Sequence, residues 1–283
     1  MIESSVPIDA VDVSGHYDDL DVFYRQLWGD HLHHGYWHKG DETPLQATEN
    51  LIHRIALPLE LQPGARVCDV GCGYGATSRY LAEKYGFQMT GLTISSTQYE
   101  YAIAQPRATN SPTYLLRNWE SNQLADGSFD GLVSIECIAH VPHKDVYFEE
   151  VARVLKPGGR ACITAWLTAE RSSPTAQRWL LEPICREGRL PSMGAASEYT
   201  QLAEAAGLRQ VKYEDVTRQV RKTWAICVWR VVKFCFFSRA GWRFIFSSKS
   251  RHAIFLLSVA RIWIAYATGA MKYGIFEFEK PTQ

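Results

Sequence analysis

The stretch Val67-Cys68-Asp69-Val70-Gly71-Cys72-Gly73-Tyr74-Gly75 decides the fold. A short apolar strand ends in an acid and opens into a Gly-x-Gly-x-Gly turn. The turn feeds a helix-like run, Ala76 to Tyr85, stopped by Gly86. Glycine lets the backbone bend sharply and approach a ligand closely. The helix behind the turn presents N–H groups that no helical carbonyl satisfies. A loop of this kind after the first strand of a parallel sheet lies where nucleotide-like ligands bind. Its spacing differs from the dinucleotide fingerprint G-x-G-x-x-G, and it lacks the Gly-Lys-Ser/Thr of a P-loop.

Outward from this stretch, strands and helices alternate. The pattern predicts strands at 66–70, 87–93, 113–117, 129–135, 160–166, 208–216 and 272–278. It predicts helices at 75–85, 96–105, 144–155, 174–187 and 197–206. A further helix runs from Leu45 to Leu59, with Pro44 in its first turn. Such alternation argues for a parallel sheet covered on both faces. Residues 1–13 read as a loose leader, 14–43 as an aromatic, His-rich region of short helices, and 219–270 as helices inserted before the last strand. Four regions follow: a closing segment at 1–43, a ligand-binding core at 44–217, a basic aromatic lid at 218–270, and a final strand and tail at 271–283.

The chain of 283 residues suits one large domain or a domain with an appended lid. Its 30 basic and 30 acidic residues balance, so bulk charge predicts no nucleic-acid partner. Seven cysteines, several in apolar strand-like runs (Cys68, Cys137, Cys162), read as reduced thiols in a cytoplasmic compartment. The first residues lack the features of a signal peptide. From Ala253 to Met271 the chain is nearly all apolar but broken by Arg261. A central Arg costs about 2.5–3.5 kcal/mol on insertion scales, so this reads as a buried or interfacial helix.

The lid has an unusual charge pattern. From Val216 to Phe276 there is no acidic residue, while Arg218, Arg221, Lys222, Arg230, Lys233 and others interleave with Trp224, Trp229 and Trp242. Three readings stay open. Such helices lie on anionic membrane surfaces, which would make the protein peripheral to a membrane. They also cover a greasy pocket whose ligand carries an anionic group. Or they cap a core with solvated Lys and Arg tips.

Three later motifs extend the first one: Gln88-Met89-Thr90-Gly91-Leu92-Thr93-Ile94-Ser95, Phe129-Asp130-Gly131-Leu132-Val133-Ser134-Ile135, and Val154-Leu155-Lys156-Pro157-Gly158-Gly159-Arg160. This ordered set resembles class I S-adenosylmethionine-dependent methyltransferases, best over residues 15–167. The resemblance implies an α/β, Rossmann-like, doubly wound sheet of seven mostly parallel strands. It also implies an N-terminal helical segment and a helical lid before the last strand. The cofactor it implies is S-adenosyl-L-methionine, with S-adenosyl-L-homocysteine as product. Backbone at Gly71, Gly73 and Gly75 then approaches the cofactor's tail and ribose, and Asp69 holds the tail's ammonium. The end of the second strand carries no acid. It is similar instead to the tocopherol, sterol and cyclopropane-fatty-acid branch, with Thr93 and Gln98 supplying hydrogen bonds to the ribose. In Arg117-Asn118-Trp119-Glu120, the likeness gives Asn118, Trp119 and Glu120 to the adenine.

The run Glu136-Cys137-Ile138-Ala139-His140 follows the fourth strand, where methyl group and acceptor meet. Glu136 and His140 are the catalytic candidates, His140 as a proton acceptor near neutrality. Glu136 is equally a cofactor-side structural acid. The N-terminal segment, with Tyr17-Asp18, Tyr24 and His33-His34-Gly35-Tyr36-Trp37, also resembles this branch. By that likeness Tyr17 and Tyr36 flank the sulfonium, whose charge suits aromatic faces. His31, His33, His34 and His38 have poor spacing for zinc, and no metal is expected. The function implied is methyl transfer to carbon, nitrogen or oxygen of a hydrophobic small molecule, such as an aromatic or prenyl-lipid natural product. A second reading is a membrane-surface or assembly protein that binds the cofactor without turnover. The acceptor's identity and the oligomeric state are not readable from the sequence.

Overall fold

The computed structural model describes residues 1–27, 30–237 and 250–282; within them, the side chains at 22–24, 26–27, 231, 234–237 and 250–256 are excepted. Seven strands form one sheet: β1 (Arg66–Val70), β2 (Gln88–Thr93), β3 (Thr113–Leu116), β4 (Phe129–Ile135), β5 (Leu155–Thr168), β6 (Arg209–Asp215) and β7 (Met271–Glu279). Their order is β3-β2-β1-β4-β5-β7-β6, and β7 runs antiparallel to both its neighbours. Val67, Cys68, Leu132, Val133 and Cys162 on the central strands are fully buried. Near-continuous apolar runs are what a strand covered on both faces requires. The covering helices are α2 (Pro44–Ala56), α3 (Ala76–Tyr85), α4 (Ser96–Ala104), α5 (Lys144–Val154), α6 (174–187) and α7 (Ala196–Ala205).

The chain leaves β1 toward β3 on one side and returns to β4 on the other. The strand order therefore reverses between β1 and β4, and a crevice opens at their carboxyl ends. The loops after these two strands meet there. A Cβ on Gly71 would lie 2.5 Å from Cys137 Sγ.

The N-terminal expectation is corrected in two respects. Ile2–Glu3 pairs antiparallel with Ser192–Met193, so the start is no loose leader. A single 18-residue helix, α1 (Ala10–Leu27), replaces short helices. The Asp9 carboxylate accepts from the N–H groups of Val11 and Asp12 at 2.8 and 2.9 Å, which caps its first turn. The fifth strand begins five residues before the predicted Arg160, because Leu155 already pairs with Phe129 ahead of the Pro-Gly-Gly bulge.

The insert before β7 contains α8 (Lys222–Phe237) and α9 (Ser250–Thr268). Trp224, Cys227, Val259, Ile262, Ala265 and Tyr266 turn inward to the core. Arg218, Arg221 and Lys233 stay exposed. Arg261, which interrupts the apolar run, pairs with Glu187 on α6. Among the described residues, no helix is long and apolar enough to cross a membrane. Trp242 and the Tyr24 side chain lie outside the described residues.

Candidate active site

A cleft opens over the ends of β1, β2 and β4. On its first wall the three glycines of the turn divide. All have positive φ, at 76°, 54° and 74°. A Cβ on Gly71 would strike Cys137, and one on Gly75 would strike the Tyr114 ring at 2.5 Å. A Cβ on Gly73 would meet nothing within 4 Å. Gly71 and Gly73 line the cleft; Gly75 is the residue from which α3 starts and lies outside the wall.

Asp69 sits beneath Gly71, 2 % exposed, with Ser78 Oγ donating to it at 2.6 Å. Burial pushes its carboxyl up to about 6 despite that hydrogen bond. A buried carboxylate held by one neutral donor suits a cationic partner. Thr93 and Gln98 are both buried and both line the cleft, with Thr93 Oγ1 donating to Gln98 Oε1 at 2.8 Å. The Gln98 amide nitrogen makes no hydrogen bond among the described residues. Nearby, His31 Nδ1 is buried without a protein partner. These features fit an S-adenosylmethionine: an open glycine, an under-satisfied acid, a spare amide and an orphaned ring nitrogen. The sequence offers His31 only as a poorly spaced zinc ligand and gives Asp18 no role of its own. The latter reaches from α1 to the start of α4, accepting from Ser95 Oγ at 2.5 Å and Ser96 Oγ at 3.2 Å.

The Asn118–Glu120 turn is only partly turned to the cleft. Asn118 and Trp119 line it. Trp119 is 4 % exposed, and its Nε1 donates to the Tyr147 carbonyl at 3.1 Å. Glu120 does not line the cleft. It accepts from the His143 backbone N–H at 2.9 Å and sits 2.8 Å from His143 Nδ1. That engagement ties down the loop before α5.

Glu136 is the most heavily engaged side chain in the cleft. Its backbone is left-handed, at φ 59°, a conformation that needs support from its surroundings. Oε1 accepts from the His34 backbone N–H at 2.8 Å, His34 Nδ1 at 2.9 Å and the Tyr273 hydroxyl at 2.8 Å. Oε2 accepts from Trp166 Nε1 at 2.7 Å. Burial opposes ionisation, but His34 outweighs it and the carboxyl is held down at about 2. Trp224 Nε1 in turn donates to His34 Nε2 at 2.5 Å, so His34 carries its ring proton on Nδ1. One carboxylate thus joins the N-terminal segment, β5, β7 and the lid. Four donors on one carboxylate favour the structural-acid reading of Glu136 over the catalytic one.

His140 has the opposite environment. Its Nδ1 lies 3.1 Å from the Arg189 carbonyl, which can only accept, so the proton is on Nδ1. Nε2 is then free to accept from the Tyr17 hydroxyl, 2.9 Å away. Burial pushes His140 down to about 4, leaving it neutral at pH 7. Tyr17 and His140 both face the cleft. Tyr36 does not. It is buried against His38 and hydrogen-bonds the Ala47 carbonyl through its backbone at 2.7 Å.

The far wall of the cleft is built from Ile184, Leu190, Trp224, Val259 and Ile262. Trp229, expected beside them, is 57 % exposed, with Lys233 Nζ 5.2 Å from its ring centre. Among the described residues, no group of three or more His, Cys, Asp or Glu side chains could hold a metal ion.

Comparison with known proteins adds to this geometry. The family described as mycolic acid cyclopropane synthetase matches residues 6–231. A probable tocopherol O-methyltransferase, chloroplastic, of Oryza sativa subsp. japonica is 28% identical, covering 95% of this chain and 78% of its own. The 2-methyl-6-phytyl-1,4-hydroquinone methyltransferase of Synechocystis is 30% identical, covering 91% and 83%. The structure of mycolic acid cyclopropane synthase CmaA1, complexed with SAH and CTAB, superposes with a TM-score of 0.84 at 23% identity, covering 98% and 100%. Nothing in these comparisons supports the reading of a cofactor-binding surface protein without turnover.

Proposed function

We propose, for a chain that belongs to the mycolic acid cyclopropane synthetase family, that the acceptor is a hydrophobic small molecule and that Tyr17 and His140 handle its proton. The chain is an S-adenosylmethionine-dependent methyltransferase. Two of its relatives act, by name, on a tocopherol and a phytyl hydroquinone, and the apolar far wall supports an acceptor of that kind. The observation that carries the reading is the Tyr17–His140 pair facing a cleft with one polar, glycine-lined end and one apolar end.

When bound, S-adenosylmethionine supplies an electrophilic methyl group and leaves as S-adenosylhomocysteine. The chain's own residues do the rest. Asp69 receives an ammonium, Gly73 gives backbone access, and Thr93 and Gln98 offer a hydroxyl and an amide to the ribose. Asn118 and Trp119 border the adenine end. The apolar wall excludes water and holds the acceptor in line, from which much of the rate comes. His140 Nε2 takes the proton that the acceptor loses, directly or through the Tyr17 hydroxyl, which donates to His140 as it accepts. Glu136 positions the lid and the N-terminal segment. In domain terms, the described parts of 1–43 and 218–270 close over the 44–217 core. Peripheral membrane contact is supported by exposed Trp229, Leu257 and Trp263 beside exposed basic residues of the lid.

The test is incubation with methyl-labelled cofactor and either 2-methyl-6-phytyl-1,4-hydroquinone or a crude lipid-soluble extract, followed by identification of the labelled product. Label in an apolar, extractable product supports the reading. Label confined to water-soluble products refutes it. Flotation with anionic vesicles separately tests the membrane contact.

A further inference from the structure

Glu187 ends α6 with its side chain 7 % exposed, and it lies in the apolar wall of the cleft. Ser258 Oγ on α9 donates to its Oε2 at 2.6 Å, and the Arg261 guanidinium pairs with Oε1. Arg186 stands 3.8 Å away. A carboxylate offers about four lone-pair sites, so these donors leave space for another. Around it the wall is aliphatic and aromatic. The loop that follows Glu187 also supplies the Arg189 carbonyl that fixes the His140 tautomer, which links this carboxylate to the proton acceptor through two residues of chain.

The lid's positive charge is turned elsewhere. Arg218, Arg221 and Lys233 are exposed, Lys222 Nζ lies 4.4 Å from the Trp37 ring centre, and Arg261 faces Glu187. None of these lines the cleft. Arg117, the one Arg or Lys in the wall among the described residues, stands beside Asn118 and Trp119 at the other end.

We infer that Glu187 and Ser258 form the polar anchor of the acceptor site, selecting a neutral molecule with an apolar body and a hydroxyl over anionic lipids. The inference rests on the hydrophobic-acceptor reading above. A hydroxyl donates to the spare lone pair and keeps the Glu187–Arg261 pair intact. A carboxylate or phosphate head meets Glu187 at close range in a low-dielectric wall, where like charges repel strongly. An ammonium head competes with Arg261, which already neutralises the acid.

Calorimetric titration of the full chain, loaded with S-adenosylhomocysteine, with dodecanol, dodecanoate and dodecylammonium tests this. Dodecanol is expected to bind at least tenfold more tightly than dodecanoate and more tightly than dodecylammonium. Glu187→Gln should narrow the gap to dodecanoate severalfold. Should that variant fail to fold, Ser258→Ala keeps the ion pair and should weaken dodecanol severalfold with S-adenosylhomocysteine affinity unchanged. Dodecanoate or dodecylammonium binding as tightly as dodecanol, or dodecanol affinity unmoved by Ser258→Ala, overturns the anchor while leaving the hydrophobic-acceptor reading in place. Binding of none of the three overturns that reading and the anchor with it.

Discussion

The two ends of the cleft are made in different ways. The glycine-lined end comes from one continuous stretch: Asp69, Gly71, Gly73, Thr93 and Gln98 fall within thirty residues and belong to the ends of two adjacent strands. The apolar end is assembled from distant parts. His34 meets Glu136 across 102 residues, Tyr17 meets His140 across 123, and Trp224 meets His34 across 190. A site made by local backbone geometry depends on a few glycines and turn residues. A site made by long-range contacts depends on every segment docking at once. The first should fail abruptly at one atom, the second in proportion to the contact removed.

The largest effect is therefore expected at Gly73. Gly73→Val places a branched side chain in the open space over the turn and forces it to φ 54°. Cofactor affinity by calorimetry should fall about a hundredfold or more, with circular dichroism unchanged. If Gly73→Val binds normally, the contrast between the two ends collapses.

Next comes His140. Removing a general base typically costs a factor of about 10² to 10⁴, so His140→Ala should lower kcat on that scale, and cofactor affinity should move less than twofold. Tyr17→Phe should follow in direction. The two ends also differ in pH response. The free protein's Asp69 protonates below about 6, which removes the negative charge that receives an ammonium. Cofactor affinity should thus fall as pH drops through 6, and binding near pH 6 should release a proton. His140 stays neutral down to about 4, so the acid limb of kcat should lie well below that of kcat/KM for the cofactor. Coincident limbs would mean that one group serves both ends.

Trp224→Phe keeps the ring and removes the N–H given to His34. The acceptor's KM should rise about tenfold, a loss of the size expected when a buried acceptor is left unpaired. Trp229→Ala should leave acceptor kinetics unchanged, because that ring is exposed. Equal effects of the two would show that the lid acts as a whole surface and not through Trp224.

The smallest nonzero effect is expected at Gln98. Gln98→Ala should weaken cofactor binding by about 1 kcal/mol, the scale of one neutral hydrogen bond.

How much of this was legible in the sequence follows the same division. Strand positions from β1 to β4 came within a residue of the observed ones, because apolar runs and glycine stops act locally. Asp69, Gly73, Thr93 and Gln98 line the cleft for the same reason. For Tyr36 and Glu120, which do not line the cleft, the motif gives a position in the chain but not a direction for the side chain. Tyr36 turned to His38 and Glu120 to His143, each toward a neighbour the sequence did not mark. Glu136 was half legible: a carboxylate at that strand end could be structural or reactive, and its four donors come from residues 30 to 137 positions away. Glu187 carried no signal, since only folding brings α9 and α6 together.

The place of β7 bears on how the protein is made. Roughly 100 residues separate Thr168, the end of β5, from Met271, where β7 begins. Synthesis at about 5–20 residues per second leaves the edge of β5 without its neighbour for roughly 5–20 s. That edge carries Cys162, Ile163, Ala165 and Leu167, all buried in the finished sheet, and an unpaired apolar edge invites strand pairing between chains. The nascent chain therefore passes through an interval in which its central sheet is open on one side, and soluble yield should rise when translation is slow enough, and chains dilute enough, for the insert and β7 to arrive before another copy does.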